Sequence, residues 1–304
     1  MTRRRRARGR LLPWLLTPAV VVLAGFYVGP LGYNVVLSLH RVSLFDSGTT
    51  TGPWVGFANY AALVSDLKLE QVLGNSAFWL TAVTVLARLA FGIGLALLIN
   101  ATALRQLRLS GLARTLMIIP WAVPPVVAVV LWRFLLDPSS GAVNRVLIDV
   151  GLIDSPIAFF QQVTTVWPSV QAIIVWRELP FAVLMFLAGL QTIPSELYEA
   201  ARIDRAGHWR TFWHITLPQL RAVTVAVTLL TTIWTFNNFI YVWLSTRGGP
   251  GTFTDVIGTA VYRAGFINYD IGQASALANV GTVTMFAVAV IYFLTVVRKA
   301  ESSR

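Results

Sequence analysis

The sequence predicts an all-α membrane protein that crosses the bilayer six times. Apolar residues make up 56% of the 304 residues, and the mean hydropathy is +0.68. Charged residues account for only 12%, against about 25% in soluble domains. The charges are spaced so that they leave six long apolar runs, and about 20 apolar residues suffice for a helix to span a bilayer. We therefore expect residues 1–304 to form a single transmembrane domain.

The six apolar runs set the boundaries of the expected spans. They extend over Leu11–Leu39, Gly74–Asn100, Ala113–Leu136, Pro168–Leu190, Gln219–Leu244 and Gln273–Val297. The first run follows four consecutive arginines, which is also typical of a secretory signal peptide. It is longer than the apolar core of such a peptide, which has about 7–15 residues, and no small-x-small cleavage site follows it. We therefore interpret it as an uncleaved first span.

Basic residues predict which side of the membrane each loop occupies. Six arginines precede Leu11, and further basic residues lie in alternate loops: Arg105, Arg108, Arg114, Arg202, Arg205, Arg210, Arg221, Arg298, Lys299 and Arg304. Because cytoplasmic loops carry an excess of lysine and arginine, both termini, including the basic segment 1–10, are expected in the cytoplasm. The net charge of +11 lies at span ends rather than on one face, so contact with anionic bilayer lipids explains it better than nucleic-acid binding.

A polar and basic segment, residues 191–218, separates the fourth and fifth apolar runs and is expected to form a cytoplasmic helical hairpin. Ser195 is placed to cap the first short helix. The turn is expected at Asp204–Gly207, where Gly207 can supply a positive φ angle. Aromatic residues follow on a second short helix, which Pro218 is expected to end or kink. Composition alone leaves an ordinary cytoplasmic loop equally open.

The hairpin resembles the EAA signature of permease subunits of bacterial ATP-binding-cassette (ABC) importers. The matching positions are Glu199, Ala200, Ala201, Ile215, Leu217 and Pro218. One position differs, because the glycine of the signature falls at Arg205, and Gly207 is expected to take over the turn. Shorter matches extend the resemblance over most of the chain and are similar to the carbohydrate-importer branch: Trp176–Arg177 with Pro180, Ala188–Leu190 with Ile193–Pro194, Gly248–Gly251 and Tyr269–Ala276.

This resemblance implies a type I ABC importer fold and a set of partners. The partners are a second homologous permease subunit, two ABC ATPase subunits and an extracytoplasmic solute-binding protein. The resemblance also implies that the hairpin moves as a rigid lever during alternating access, and that the positions coupling it to the ATPases are Glu199, Ala200, Ala201, Asp204, Arg205, Gly207, Ile215, Leu217 and Pro218.

Nucleotide chemistry is not expected on this chain. The sequence contains no glycine-rich loop ending in Gly-Lys-Ser/Thr, the motif that cradles nucleotide phosphates. ATP and Mg²⁺ are therefore expected on the partner ATPase subunits. This chain is not expected to be an enzyme or to hold a cofactor of its own.

Three charged residues fall near the centres of expected spans: Arg88 in the second, and Arg177 and Glu178 in the fourth. A charge at that depth costs about 2.5–3.5 kcal/mol on insertion scales, so each is a functional candidate. In one interpretation Arg88 and Glu178 form a buried ion pair. In the other, Arg177 and Glu178 line a wet cavity, and Pro180 breaks the helix just after them. A proton- or sodium-coupled secondary carrier that titrates Glu178 is the alternative function.

Amide and aromatic side chains in the last two spans are further candidates for a substrate pathway: Trp234, Asn237, Asn238, Tyr241 and Asn279. Amides donate and accept hydrogen bonds, and aromatic rings cover the apolar faces of sugars. Such side chains also hydrogen-bond neighbouring helices, so solute lining and helix contact both stay open. Few charged residues lie on this path, which favours a sugar or a related neutral polyhydroxylated solute, with glycerol-phosphate-type esters left open.

Metal and thiol chemistry are not expected. The sequence has no cysteine, which excludes disulfides and thiolate sites. Its three histidines, His40, His208 and His214, do not have the i, i+4 spacing of a helical zinc site. The expected location is the bacterial inner membrane. The long outer loops 41–73 and 137–167 are suited to meet an external partner, or they are plain connectors.

Overall fold

The computed structural model describes residues 16–43, 45, 52–66, 69–101 and 109–294, whose regular structure is helical. Two isolated bridges, His40–Trp54 and Ser43–Asp270, are the β pairing within this part of the chain. In chain order the helices are α1 (Leu16–Ser38), α2 (Ala58–Asp66), α3 (Leu69–Asn100), α4 (Leu109–Ala122), α5 (Pro125–Leu135), α6 (Ala142–Asp149), α7 (Val166–Gln191), α8 (Ser195–Ile203), α9 (His208–Gln219), α10 (Arg221–Phe236), α11 (Phe239–Thr246), α12 (Ile257–Tyr262) and α13 (Ile271–Tyr292).

The helices confirm the predicted all-α membrane fold. Four of them, α1, α3, α7 and α13, are each long and apolar enough to cross a bilayer. Two more pass the same test as bent pairs, with angles of 97° between α4 and α5 and 67° between α9 and α10. Six spans result when each bent pair is counted as one. The predicted basic segment 1–10 and the last residues of the sixth predicted span lie outside the described residues.

The third predicted span, Ala113–Leu136, is not one continuous helix. α4 ends at Ala122 and α5 begins at Pro125, with a sharp bend between them. Pro124 has no N–H to donate and disfavours a helical conformation at the residue before it. The chain therefore turns at this proline, and the predicted span is a bent pair of helices.

The fifth predicted span, Gln219–Leu244, is also interrupted, in this case by two asparagines. α10 ends at Phe236 and α11 begins at Phe239. The side chain of Asn237 donates from Nδ2 to the Ile233 carbonyl oxygen (2.8 Å). An amide thus satisfies a carbonyl near the end of α10 that the interrupted helix would otherwise leave without a donor.

The fourth span differs from expectation in the opposite way, because α7 runs without interruption through Pro180. The prediction that this proline breaks the helix is wrong. Pro180 is buried, and α7 packs closely on α3. A Cβ atom added to Gly92 of α3 would lie 3.0 Å from the Ala182 Cβ. Neighbouring helices keep a membrane helix intact where proline removes an internal hydrogen bond.

Backbone contacts divide the chain into two compact units, and the first contains residues up to Leu69 together with Ala260–Thr282. A polar chain joins its helices. The Asn279 amide accepts from Asn34 Nδ2 (2.7 Å) and donates to the Tyr60 hydroxyl (3.0 Å), which bonds to the Ser38 hydroxyl (2.8 Å). In the structure Asn279 therefore makes helix contacts, one of the two roles left open for it.

The second unit contains Glu70–Thr259 together with the residues from Val283 on. α7 runs through two apolar clusters of this unit. One surrounds Trp167, Val170, Ile173 and Ile174, and the other surrounds Ala182, Val183, Phe186 and Leu190. Glu178 lies between the two clusters along the helix. The predicted single domain over residues 1–304 stays a prediction.

Candidate functional site

The first helix of the hairpin, α8, ends in a turn of defined geometry. A proline precedes the helix and no side chain caps it, so Ser195 is the first helical residue and not the predicted cap. At the other end, the Ala206 amide donates to the Ala201 carbonyl (2.9 Å), and the Arg205 amide donates to the Arg202 carbonyl (3.1 Å). These two bonds form a Schellman motif, which requires a left-handed residue just after the helix.

Arg205 is the left-handed residue of this motif, with a φ of +54°. Gly207 has a φ of −67°, so the prediction that Gly207 supplies the positive φ is wrong. The motif fixes the left-handed position relative to the end of α8, and that position falls two residues before Gly207. A non-glycine residue in this conformation costs about 1–2 kcal/mol.

The hairpin surface combines an acid with large apolar side chains. Glu199 and Ala200 are exposed, whereas Ala201 is buried, with 7% exposure. Of the two alanines, only Ala200 is open to a partner. The large exposed apolar side chains of the hairpin include Ile203, Trp209 and Trp213. The remaining predicted positions are Asp204, which is exposed, Ile215 and Leu217, which are partly buried on α9, and Pro218, which is exposed.

Both helices of the hairpin are connected to the membrane-spanning helices. α9 continues past Pro218, and the 67° bend follows at the fully buried Leu220. A Cβ atom added to Gly189 of α7 would lie 2.8 Å from Leu220 Cδ2, so this leucine packs directly on the α7 backbone. The Tyr198 hydroxyl lies 3.2 Å from the Thr216 hydroxyl and joins α8 to α9.

A buried ion pair lies in the centre of the second unit. Arg88 Nη1 is 2.7 Å from Glu178 Oε2, and the two residues are only 1% and 8% exposed. Arg88 also donates from Nη2 to the Thr235 hydroxyl. Since an unpaired charge is very costly in an apolar environment, each member of the pair requires the other.

The second carboxylate oxygen of Glu178 is also bonded. Asn238 Nδ2 donates to Oε1 (3.1 Å), and the Tyr241 hydroxyl donates to the same oxygen (3.2 Å). Tyr241 is 1% exposed and therefore lies behind the carboxylate. Asn238 and Tyr241 flank the start of α11, so the break in the fifth span supplies two of the donors that hold Glu178.

A cavity of about 370 Å³ opens beside this network. Its walls come from α4, α7, α10 and the break before α11, and its lining residues are Trp121, Arg177, Glu178, Phe181, Ile233, Trp234, Asn237 and Asn238. The structure thus brings together five of the predicted pathway residues. Tyr241 stands behind Glu178, and Asn279 belongs to the first unit.

Three lining residues, Trp121, Phe181 and Ile233, are absent from the sequence prediction. Helical periodicity identifies two of them. Phe181 follows Arg177 by four residues and Ile233 precedes Asn237 by four, so each shares a helix face with a predicted residue. Trp121 has a different signal, because it lies between two prolines at the end of α4. No predicted pathway residue lies on α4, so helical periodicity does not identify Trp121.

Arg177 is held at the cavity by a backbone acceptor. Its Nε donates to the Val123 carbonyl oxygen (3.0 Å), at the bend between α4 and α5. Its Nη1 lies 3.9 Å from Glu178 Oε1, and its side chain keeps 19% exposure. Within the described residues, no group of three metal-binding side chains occurs.

Comparison with known proteins identifies the family. Residues 88–298 match the family described as the binding-protein-dependent transport system inner membrane component.

The chain belongs to this family. The permease is 34% identical to the sulfoquinovosyl glycerol transport system permease protein SmoG of Agrobacterium fabrum, over 94% of this chain and 90% of SmoG. It is 33% identical to the diacetylchitobiose uptake system permease protein DasB of Streptomyces coelicolor, over 96% of this chain and 88% of DasB.

A solved structure shares the fold of the permease. It is a bacterial alginate ABC transporter in complex with an alginate pentasaccharide-bound periplasmic protein, and its matching chain has a TM-score of 0.80 at 22% identity. The match covers 98% of this chain and 97% of that one. The resemblance found in the hairpin is thus confirmed. The permease is a multi-pass inner-membrane subunit of an ABC importer, and a secondary carrier that titrates Glu178 is not favoured.

The first prediction concerns the buried ion pair. Arg88→Leu and Glu178→Leu should each lower the stability of the purified permease by about 3–5 kcal/mol, because each leaves one buried charge without its partner. The double variant should recover most of this loss, since an apolar pair can replace a buried ion pair at small cost. Unfolding in detergent, followed by circular dichroism, measures the three variants. Additive losses in the double variant would contradict the pairing.

The second prediction concerns the left-handed arginine. Arg205→Gly should stabilise the permease by about 0.5–1 kcal/mol. Glycine adopts the positive φ at little cost, and the greater entropy of glycine in the unfolded chain offsets only part of this gain. Arg202→Gly is the matched control, because position 202 is helical and glycine there should cost about 1 kcal/mol. Thermal unfolding compares the two. Equal destabilisation by both changes would contradict the left-handed assignment.

Proposed function

We propose that the permease imports a sugar or a related polyhydroxylated solute and that its hairpin couples this import to ATP hydrolysis on partner subunits. The observation that carries the solute proposal is the cavity, where the amides of Asn237 and Asn238 lie among aromatic rings. Amides offer both donors and acceptors to hydroxyl groups, and rings cover apolar sugar faces. The systems of SmoG and DasB and the alginate transporter are named for sugar compounds, which supports the same solute class.

The partners follow from the family and from the chain itself. A second homologous permease would complete the transmembrane pathway, and two ABC ATPase subunits would hold ATP and Mg²⁺. A solute-binding protein would deliver solute at the outer side, as the periplasmic protein bound to the alginate transporter supports. Transport would proceed by alternating access, in which the ATPases favour one of two conformations of the permease pair.

The hairpin is the surface proposed for the ATPase subunits. It presents the exposed acid Glu199 beside the small Ala200, and it places bulky apolar groups such as Trp209 on the adjoining helix. Leu220 connects its far end to α7 through Gly189. A displacement of the hairpin would therefore act on the helix that carries Arg177 and Glu178.

The third prediction tests this coupling. Ala200→Asp should weaken association with the ATPase subunits by about ten-fold or more, because it buries an additional unpaired charge in the docked surface. Pull-down of the ATPases and solute-stimulated ATP hydrolysis in proteoliposomes measure the effect. Ala142→Asp, at another exposed alanine, is the matched control and should leave ATPase association unchanged. Full stimulated hydrolysis in Ala200→Asp would exclude the proposed docking surface.

The fourth prediction tests the orientation in the membrane. We propose that both termini and the hairpin lie in the cytoplasm. Reporter fusions after Arg210 and after Lys299 should be active as cytoplasmic reporters, and a fusion within Gly248–Thr254 should report the outer side. A cytoplasmic signal from the glycine-rich loop would contradict the orientation and the count of six spans together.

A further inference from the structure

The cavity beside Arg177 has an unbalanced positive charge. Three charged side chains meet there: Arg177 and Glu178 line the cavity, and Arg88 lies directly behind Glu178. Glu178 Oε2 is 2.7 Å from Arg88, whereas Glu178 Oε1 is 3.9 Å from Arg177. The carboxylate therefore neutralises Arg88 first. Two guanidinium groups and one carboxylate leave one positive charge, and it resides on Arg177.

Glu178 is not free to turn toward Arg177. Its Oε1 accepts hydrogen bonds from Asn238 and Tyr241, and its Oε2 is occupied by Arg88. A closer approach to Arg177 would break bonds to Arg88 and Tyr241, which are buried and have no solvent to replace the lost partner. The structure of the carboxylate site thus keeps the charge of Arg177 uncompensated among the described residues of this unit.

Arg177 is fixed in place and keeps donors for a ligand. A guanidinium group has five N–H donors. Val123 accepts from Nε, and the Tyr241 hydroxyl is near enough to interact with the same guanidinium. These two acceptors leave most of the donors available. The planar arrangement of the remaining donors matches a carboxylate, a phosphate or a sulfonate.

The broken fifth span adds to the positive potential. α11 starts at Phe239, and the two residues before it, Asn237 and Asn238, both line the cavity. The N-terminus of a helix carries a partial positive charge and unpaired backbone N–H groups. Half-helix ends at such breaks favour anionic groups for the same reason. The N-terminus of α11 is a feature separate from Arg177, and its partial charge is also positive.

We propose that the solute of this permease is a polyhydroxylated compound with one anionic group, and that Arg177 binds this group. The inference rests on the proposed function and specifies the charge of the solute, which the sequence left open. The amides of Asn237 and Asn238 and the rings of Trp121 and Trp234 would then contact the uncharged part of the same molecule. The volume of about 370 Å³ lies near the lower end of the range of ligand pockets, about 300–1,000 Å³.

The absence of cysteine from the chain permits a direct test of the cavity potential. Asn237→Cys places a single thiol of this chain at the exposed lining position. In the full transporter, the rates of labelling by an anionic sulfonatoethyl and a cationic trimethylammonioethyl methanethiosulfonate are compared by the mass shift of this chain. At low ionic strength, the ratio of anionic to cationic rates should exceed that of a free thiol by about ten-fold. Taking the ratio removes the effect of the pKa of the thiol.

Changes at Arg177 identify the source of the potential. In the Asn237→Cys background, Arg177→Gln should bring the ratio close to that of a free thiol, and Arg177→Lys should preserve most of it. Arg133→Gln is the matched control, because Arg133 does not line this cavity, and should leave the ratio unchanged. A ratio no greater than that of the free thiol, or one that Arg177→Gln does not lower, would overturn the proposal.

The second measurement identifies the compound that stays bound to the solute-binding protein of this transporter during purification. A hydroxylated compound with a carboxylate, phosphate or sulfonate group is expected, and its uptake into proteoliposomes should fall at least about ten-fold in Arg177→Gln and less in Arg177→Lys. A neutral sugar would overturn the inference and leave the proposed function intact. A compound without hydroxyl groups would contradict the proposed function itself.

Discussion

The ion pair between Arg88 and Glu178 is the interaction on which the second unit depends. Arg88 is 1% exposed, so its charge has no access to water, and the carboxylate at 2.7 Å is its counterion. Thr235 on α10 completes the contacts of the arginine, and Asn238 and Tyr241 complete those of the glutamate. Four helices, α3, α7, α10 and α11, therefore meet at one ion pair. Because Arg88, Glu178, Thr235 and Tyr241 are all buried, the loss of one member leaves buried polar groups without a partner.

The two helix breaks position polar groups that bind Glu178 and Arg177. The break before α11 brings the Asn238 amide and the Tyr241 hydroxyl to Glu178, and the bend between α4 and α5 makes the Val123 carbonyl available to Arg177. Irregular backbone at membrane depth is tolerated where it lines a cavity or is buried in protein. Here the break before α11 lines the cavity, and the bend between α4 and α5 follows the lining residue Trp121. Both breaks position the charged groups of α7. The site is consequently built from helix ends packed around one continuous helix.

The sequence was sufficient for the membrane fold, the family resemblance and five of the eight residues that line the cavity. It did not predict where helices are interrupted. Hydropathy detects apolar length but carries no information on dihedral angles. Pro124 bends its span, whereas Pro180 does not, because α7 is held by close packing at Gly92 and Ala182. That difference is tertiary, so no local pattern distinguishes the two prolines. The left-handed Arg205 was missed for a related reason, since glycine preference pointed to Gly207 while the hydrogen bonds of α8 fix the position.

The central claim is that Glu178 is ionised and neutralised by Arg88, which leaves the charge of Arg177 to the cavity. Infrared difference spectroscopy of the purified permease, comparing wild type with Glu178→Gln, measures the protonation state of this carboxyl group directly. At neutral pH, the ion pair predicts the loss of a carboxylate band in the variant and no loss of a protonated carboxyl band. Loss of a protonated carboxyl band would contradict this claim, because a neutral Glu178 could not be the counterion of Arg88.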